Sequence, residues 1–196
     1  MASEVTALVE RCRQGDSLAW EQLVRSHQGR VYALAYHYLG GVEEARDLTQ
    51  EVFVRVYQQL RTYKGEGFVA WLLRVTRNLC IDQIRRRRIR PPAEDLLAQD
   101  NEWAMPDTAP DPEQSWLTGE RQRLVYEALR HLNGTSREMI LLKEIQGLQL
   151  KEIAEMLALP IGTVKSRSNR ARLELARQVI AIDPSYAGRV EPQGRS

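Results

Sequence analysis

The stretch between Pro91 and Pro112 constrains the fold more than any other part of the 196-residue chain. It holds five of the eight prolines, and residues 91–119 contain seven acids without a single Lys or Arg. Proline fixes φ and removes a backbone donor, and like charges in a row repel, so such a segment resists packing into a core. A chain interrupted there reads as two small bodies, over residues 1–90 and 115–182. A flexible acidic linker over 91–114 joins them, and a polar tail over 183–196 follows. Leu96, Leu97, Trp103 and Met105 give the linker enough apolar surface to dock on a partner.

The two bodies share a charge sign. Residues 1–90 carry 15 Lys and Arg against 10 Asp and Glu, and residues 120–196 carry 13 against 9. Two basic bodies on an acidic tether suit polyanionic partners. The apolar pattern within them is helical throughout and no stretch alternates as a strand does, which predicts an all-α protein.

In the first body a helix over about 4–14 ends at Gly15. Asp16 caps a second, which runs toward Gly29 or, with a break, on to Leu39 before Gly40-Gly41 stops it. A third, about Val42–Leu60, carries the stripe Ala45, Leu48, Val52, Val56 and Leu60. After a loop around Thr62–Gly67, a fourth spans about Phe68–Arg88, with Phe68, Leu72, Val75 and Leu79 inward. In the second body, helices are expected over Ser115–Leu132, then Arg137–Ile145 with Thr135 or Ser136 as cap. Leu150–Leu157 and Gly162–Ala181 complete the set.

The stretch Leu150–Leu175 has the spacing of a helix-turn-helix. Ile153, Ala154 and Leu157 form the inner face of a short helix, and Ala158–Ile161 makes a tight turn. Val164 points inward from a second helix whose cap is Gly162 or Thr163. Lys165, Ser166, Asn169 and Arg170 face outward and offer donors to base edges and phosphates, as a major-groove reading helix must. Arg167 serves as a phosphate clamp or as a partner for Glu152 or Glu155. An ordinary helical hairpin with a solvated basic face is the plainer alternative.

A second polar constellation ends the fourth helix, where Arg85, Arg86, Arg87 and Arg88, with Arg90 just after them, form an electrostatic footprint for nucleic acid. Asn78 and Asp82, four residues apart, share its outer side, while Phe68 and Trp71 read as core. In the third helix Asp47, Gln50, Glu51 and Arg55 lie off the apolar stripe, a pattern that by itself is usually only a solvated face.

Taken in order, DLTQEVFVRVYQQL, FVAWLLRVTRNLCIDQIRRRR and SREMILLKEIQGLQLKEIAEMLALPIGTVKSRSNRARLEL resemble three segments of the extracytoplasmic-function sigma factors. The resemblance covers roughly residues 15–90 and 115–179. It implies that the first body is sigma region 2, a helical bundle, and the second is the region 4 helix-turn-helix. It further implies polymerase docking through Asp47, Leu48, Gln50, Glu51 and Phe53. Minus-10 contacts would come from Asn78, Asp82 and Arg85 to Arg88, and minus-35 contacts from Lys165, Ser166, Asn169 and Arg170. The implied partners are the clamp and flap of core RNA polymerase, promoter DNA and an anti-sigma factor. The chain departs from the family pattern at three sites: Ser168-Asn169 stand where an apolar residue and an aromatic or His are common. Ala158 replaces a turn glycine, and Asn133-Gly134 replaces a Leu-Pro pair.

Other classes fit less well. An ordinary DNA-binding regulator would use the helix-turn-helix without docking on polymerase. His27, His37 and His131 are scattered, and neither a metal-binding histidine pair nor a glycine-rich phosphate loop occurs, so no catalytic residue, metal or cofactor is expected. Cys12 and Cys80 sit in apolar-periodic stretches as buried thiols, which suits a reducing compartment. The first residues lack the apolar core of a signal peptide, and no apolar run approaches the ~20 residues that span a bilayer. A cytoplasmic protein without membrane insertion is expected.

Overall fold

The computed structural model describes residues 2–61, 63, 67–89 and 123–187. The chain divides into two compact units, one within residues 1–106 and one within 107–196. The described residues are helical with no strand. The linker segment expected over 91–114 lies outside the described residues, as do the side chain of Arg88 and the first part of the helix expected over Ser115–Leu132.

The first unit has four helices: α1 (Ala2–Arg13), α2 (Ser17–Leu39), α3 (Val42–Gln59) and α4 (Phe68–Ile89). The long α2 is central and packs against each of the others, and α3 also packs on α4. Asp16 caps α2 as its chemistry predicts: the Ala19 N–H donates to Oδ1 at 3.0 Å, and Arg11 grips the other oxygen at 2.7 Å. Those two contacts hold the Asp16 carboxyl below the usual aspartate range. The helix does not break at Gly29. His27 and Val31 on either side are buried, so packing carries α2 across a weak helix former. It stops at Gly40, whose φ of 77° is left-handed, and the Gly40 N–H closes on the Tyr36 carbonyl at 2.9 Å.

The core of this unit follows the expected stripes. Ala45, Leu48, Val52 and Val56 of α3 are buried, and Phe68 and Leu72 of α4 close over them; Val75 and Leu79, expected on the same stripe, are only half-buried, and Cys80 is buried instead. Burial pushes the Cys80 thiol up to about 12, so it stays protonated and inert. His27 is buried as well, edge-on to Phe68 with ring centres 5.4 Å apart. Its Nδ1 lies 2.9 Å from the Leu23 carbonyl, which can only accept, so Nδ1 carries the proton. Burial lowers its proton affinity below that of an ordinary histidine.

In the second unit the chain is helical over residues 123–130 (α5). It continues through α6 (Gly134–Ile140), a π-helical turn (Leu141–Ile145), α7 (Leu150–Leu157) and α8 (Ile161–Ile182). Two caps differ from expectation. Asn133, not Thr135 or Ser136, caps α6, its side chain accepting from the Ser136 N–H at 2.9 Å, so the helix begins at Gly134. Pro160 occupies the cap position of α8, ahead of both Gly162 and Thr163. The single helix expected over Arg137–Ile145 changes its hydrogen-bond spacing partway along: the Gln146 N–H reaches back five residues to the Leu141 carbonyl at 2.8 Å. Leu141 and Leu142 at the start of that turn are both buried, continuing the buried run from Met139 and Ile140. Beyond α8, Asp183 caps a 3-10 turn over Pro184–Tyr186, so the expected flexible tail is structured as far as that turn.

Candidate nucleic-acid and partner interfaces

The first candidate surface is built on α3. Its inner positions are consumed by the core, which leaves Asp47, Gln50 and Glu51 exposed. Leu48 is 1% exposed and Phe53 6%, so these two face inward rather than outward. Leu48 fixes how α3 seats on its neighbours. Phe53 reaches the floor of a groove of about 640 Å³ between α3 and the start of α2. Trp20 stands on that floor too, edge-on to Phe53 at 6.3 Å and to Tyr57 at 5.0 Å. Val54 and Tyr57, 58% and 59% exposed, form its outer wall beside Gln50. Sequence reading missed these two apolar residues. Their spacing from Gln50, four and seven positions on, is the signal that would have found them.

The second surface is the outer side of α4. Asn78 and Asp82 are exposed on it, and Arg85, Arg86 and Arg87 are exposed toward its end. One turn inward, Arg77 donates through Nε to the Tyr38 hydroxyl at 2.9 Å, which ties α4 to α2. Arg87 forms an ion pair with Glu44 in the first turn of α3. At the other end Phe68 is buried and Trp71 half-buried, within an aromatic cluster that includes Tyr63 at 4.8 Å from Trp71. The core reading of this pair holds.

The third surface is the helix-turn-helix. Gln149 and Glu152 form a reciprocal cap at the start of α7, the Gln149 N–H donating to Glu152 at 2.7 Å. Ile153 and Met156 are buried; Ala154 and Leu157 are half-buried, so Met156 was missing from the expected inner face. The turn bends at Ala158, which holds φ 53° and ψ 46°, in left-handed space. That explains why a glycine suits the position. Val164, Ser168 and Ala171 are buried on the inner side of α8, and Lys165, Ser166, Asn169 and Arg170 are exposed on the other. Ser168 thus occupies an inward position, as an apolar residue would.

Polar ties fix α8 from behind. Ser136 Oγ donates to Glu174 at 2.6 Å, and Asn133 Nδ2 donates to the same carboxylate at 3.2 Å. Arg172 bonds to Glu144 of the π turn at 2.7 Å. Asn133 therefore does two jobs, capping α6 and bracing α8, where the family pattern has a Leu-Pro pair. Arg137 braces the unit differently: its guanidinium donates to the carbonyls of Leu129, Arg130 and Leu132 at 2.8–3.0 Å. That closes the end of α5.

The comparisons with known proteins agree with this geometry. Residues 23–89 match the Sigma-70 region 2 model, and residues 122–175 match that of Sigma-70, region 4. The ECF RNA polymerase sigma-E factor of Haemophilus influenzae is 36% identical over 179 residues, covering 88% of this chain and 94% of that protein. The RNA polymerase sigma-H factor of Pseudomonas aeruginosa is 34% identical over 170 residues, covering 84% and 88%. Among solved structures, the sigma factor RpoE of Bartonella quintana, in complex with the anti-sigma factor NepR, superposes with a TM-score of 0.57. The identity is 22%, covering 83% of this chain and 97% of that one.

The fold is that of a two-unit helical sigma factor. The chain belongs to the extracytoplasmic-function group of the sigma-70 family, transcription initiation factors that bind core RNA polymerase and direct it to promoters. It is accordingly not an enzyme, and the reading as a regulator that ignores polymerase is set aside. Among the described residues, no helix is long and apolar enough to cross a membrane.

Proposed function

We propose that the three surfaces divide the work of promoter-directed initiation in the cytoplasm. The α3 face, Asp47, Gln50 and Glu51 with Phe53 in the groove floor, docks on the polymerase clamp, and Leu48 holds that face in place. The outer side of α4 takes the opened minus-10 element: Asn78 and Asp82 contact unstacked bases, and Arg85 to Arg88 hold phosphates. Region 2 accordingly spans residues 1–90 and region 4 residues 115–182, joined by the acidic linker 91–114 that runs through the polymerase. The α8 row Lys165, Ser166, Asn169 and Arg170 reads the minus-35 element in the major groove, with region 4 seated on the flap. An anti-sigma factor, like the one bound to the Bartonella relative, covers these surfaces when the factor is idle.

The observation that carries this reading is the two-sided character of α8. Small residues face the core, and a contiguous row of hydrogen-bonding side chains faces out, braced from behind by Glu174 and Arg172. Phosphate contacts set position and base-edge contacts set sequence, and the row contains both kinds of side chain. The test is run-off transcription from a promoter library with purified core polymerase, with and without this protein. Initiation at a shared two-element sequence is expected, lost in Asp47→Ala through docking and altered in sequence preference in Asn169→Ala. Binding to core polymerase without initiation at any shared sequence would reject the reading.

A further inference from the structure

The arginine row at the end of α4 is not uniformly presented. Arg85 and Arg86 are exposed, but Arg87 leans onto Glu44, which belongs to the first turn of α3. Both side chains remain about half exposed, at 46% and 41%, so each is within reach of a ligand.

The Glu44 side chain folds back over the residue that precedes α3. Gly41 caps α3, and a Cβ built there would stand 2.9 Å from Glu44 Oε2. One carboxylate oxygen is therefore folded over the helix N-terminus, where the positive end of the helix dipole favours an anion. The other oxygen meets Arg87. Glu43 beside it behaves differently. It pairs with Arg46 of its own helix at 2.8 Å, with both side chains more than 60% exposed.

We propose that Glu44 is a positioning residue that holds Arg87 back from DNA and so sets how much of the α4 arginine row is available to phosphate. The inference rests on the reading that this row contacts DNA. A carboxylate and a phosphate compete for the same guanidinium N–H groups. An exposed ion pair is weak, so the contact lowers affinity without abolishing it. Glu44 also lies one turn before Asp47 on α3, which places this adjustment on the same helix that docks polymerase. The docking face and the residue that adjusts DNA grip then share one helix, although the grip itself is on α4.

The test uses the full chain and a short fluorescent DNA duplex, with binding followed by anisotropy across a KCl series. Glu44→Gln is expected to bind ~2- to 5-fold more tightly at low salt, the scale of an exposed ion pair. Its plot of log affinity against log salt should steepen by about 0.9, one more phosphate neutralised. Gly41→Ala should shift binding in the same direction, because the added methyl displaces the Glu44 carboxylate without changing charge. Glu43→Gln reports what the loss of any nearby acid does, and is expected to gain less. In an Arg87→Gln background, Glu44→Gln should gain no more than Glu43→Gln.

A Glu44→Gln gain no larger than that of Glu43→Gln, or one that survives in Arg87→Gln, would overturn the proposal while leaving the DNA-contact reading intact. If Arg87→Gln alone changes neither affinity nor salt slope, the DNA-contact reading of Arg87 fails and takes this inference with it. Circular dichroism melts of each variant separate loss of fold from loss of contact.

Discussion

The two helices that present the candidate interfaces, α3 and α8, are held in opposite ways. The inner face of α3 is wholly apolar, with Ala45, Leu48, Val52, Phe53 and Val56 buried. That of α8 buries only Val164, Ser168 and Ala171, and the helix leans instead on directional bonds from Glu174 and Arg172. Apolar burial is strong but non-directional, whereas a hydrogen bond fixes an angle. A docking face needs a firm floor and a shape. A helix that reads bases must also hold its rotation, since a side chain displaced sideways loses its base edge. The difference in support suits the different tasks proposed for the two helices.

The largest expected effect tests the α3 half of that contrast. Leu48→Ala removes a side chain that is 1% exposed, and should cost about 2–5 kcal/mol in urea unfolding. Asp47→Ala next to it is exposed and should stay within about 0.5 kcal/mol while losing core polymerase binding. If Leu48→Ala unfolds normally yet binding alone fails, Leu48 is a contact residue and α3 is not held as described.

On α8, Asn169→Ala is expected to relax discrimination at one base pair of the minus-35 element by about 1–3 kcal/mol, with stability unchanged. Binding-site selection before and after the substitution measures it. Uniform weakening at every sequence would make Asn169 a phosphate contact.

Much of this was legible in the chain because local chemistry and tertiary packing agree there. Asp16, Gly40 and the Ala45–Leu60 stripe each play the part their residue types favour, and the outward row on α8 follows from the position of Val164. The misses have a common cause. At Asn133-Gly134 a turn signal is also a helix start, and only the Ser136 and Glu174 partners decide between the two. The π turn has no local signature; it begins within a run, Met139 to Leu142, that is buried throughout. Val54 and Tyr57 look like ordinary helix-surface residues until α2 brings Trp20 up beside them. The family resemblance groups Leu48 and Phe53 with Asp47, Gln50 and Glu51, yet exposure separates the first two from the other three.

The polar bracing of α8 should be weaker in energy than the α3 core but sharper in function. Ser136→Ala leaves the Glu174 carboxylate without its 2.6 Å donor, at an expected cost of about 1–3 kcal/mol. Minus-35 affinity should fall by more than the stability change implies, because the unfolded fraction stays small while the helix loses its fixed rotation. Parallel urea unfolding and DNA titration give both numbers. Equal losses would mean that Glu174 only stabilises.

A pH titration separates the units. Burial lowers the proton affinity of His27, so between its depressed folded value and the ordinary unfolded value of about 6.5 the unfolded chain binds the extra proton. Stability of the first unit should therefore be full above about pH 7 and decline as pH falls through that window. His27→Gln should flatten the decline, as followed by thermal melts from neutral to mildly acidic pH.

The smallest expected effect has the opposite sign. Ala158 is the non-glycine residue with positive φ among those described, and it forms the turn between α7 and α8. Left-handed backbone costs an L-residue about 1–2 kcal/mol, and glycine avoids that cost while giving up some unfolded-state restriction. Ala158→Gly should therefore stabilise the second unit by about 0.5–1 kcal/mol. If the polar ties of Glu174 and Arg172 hold α8 in place, minus-35 discrimination should be unchanged. A gain in stability accompanied by altered discrimination would place control of the reading helix in the turn, and would remove the reason for treating Glu174 and Arg172 as its brace.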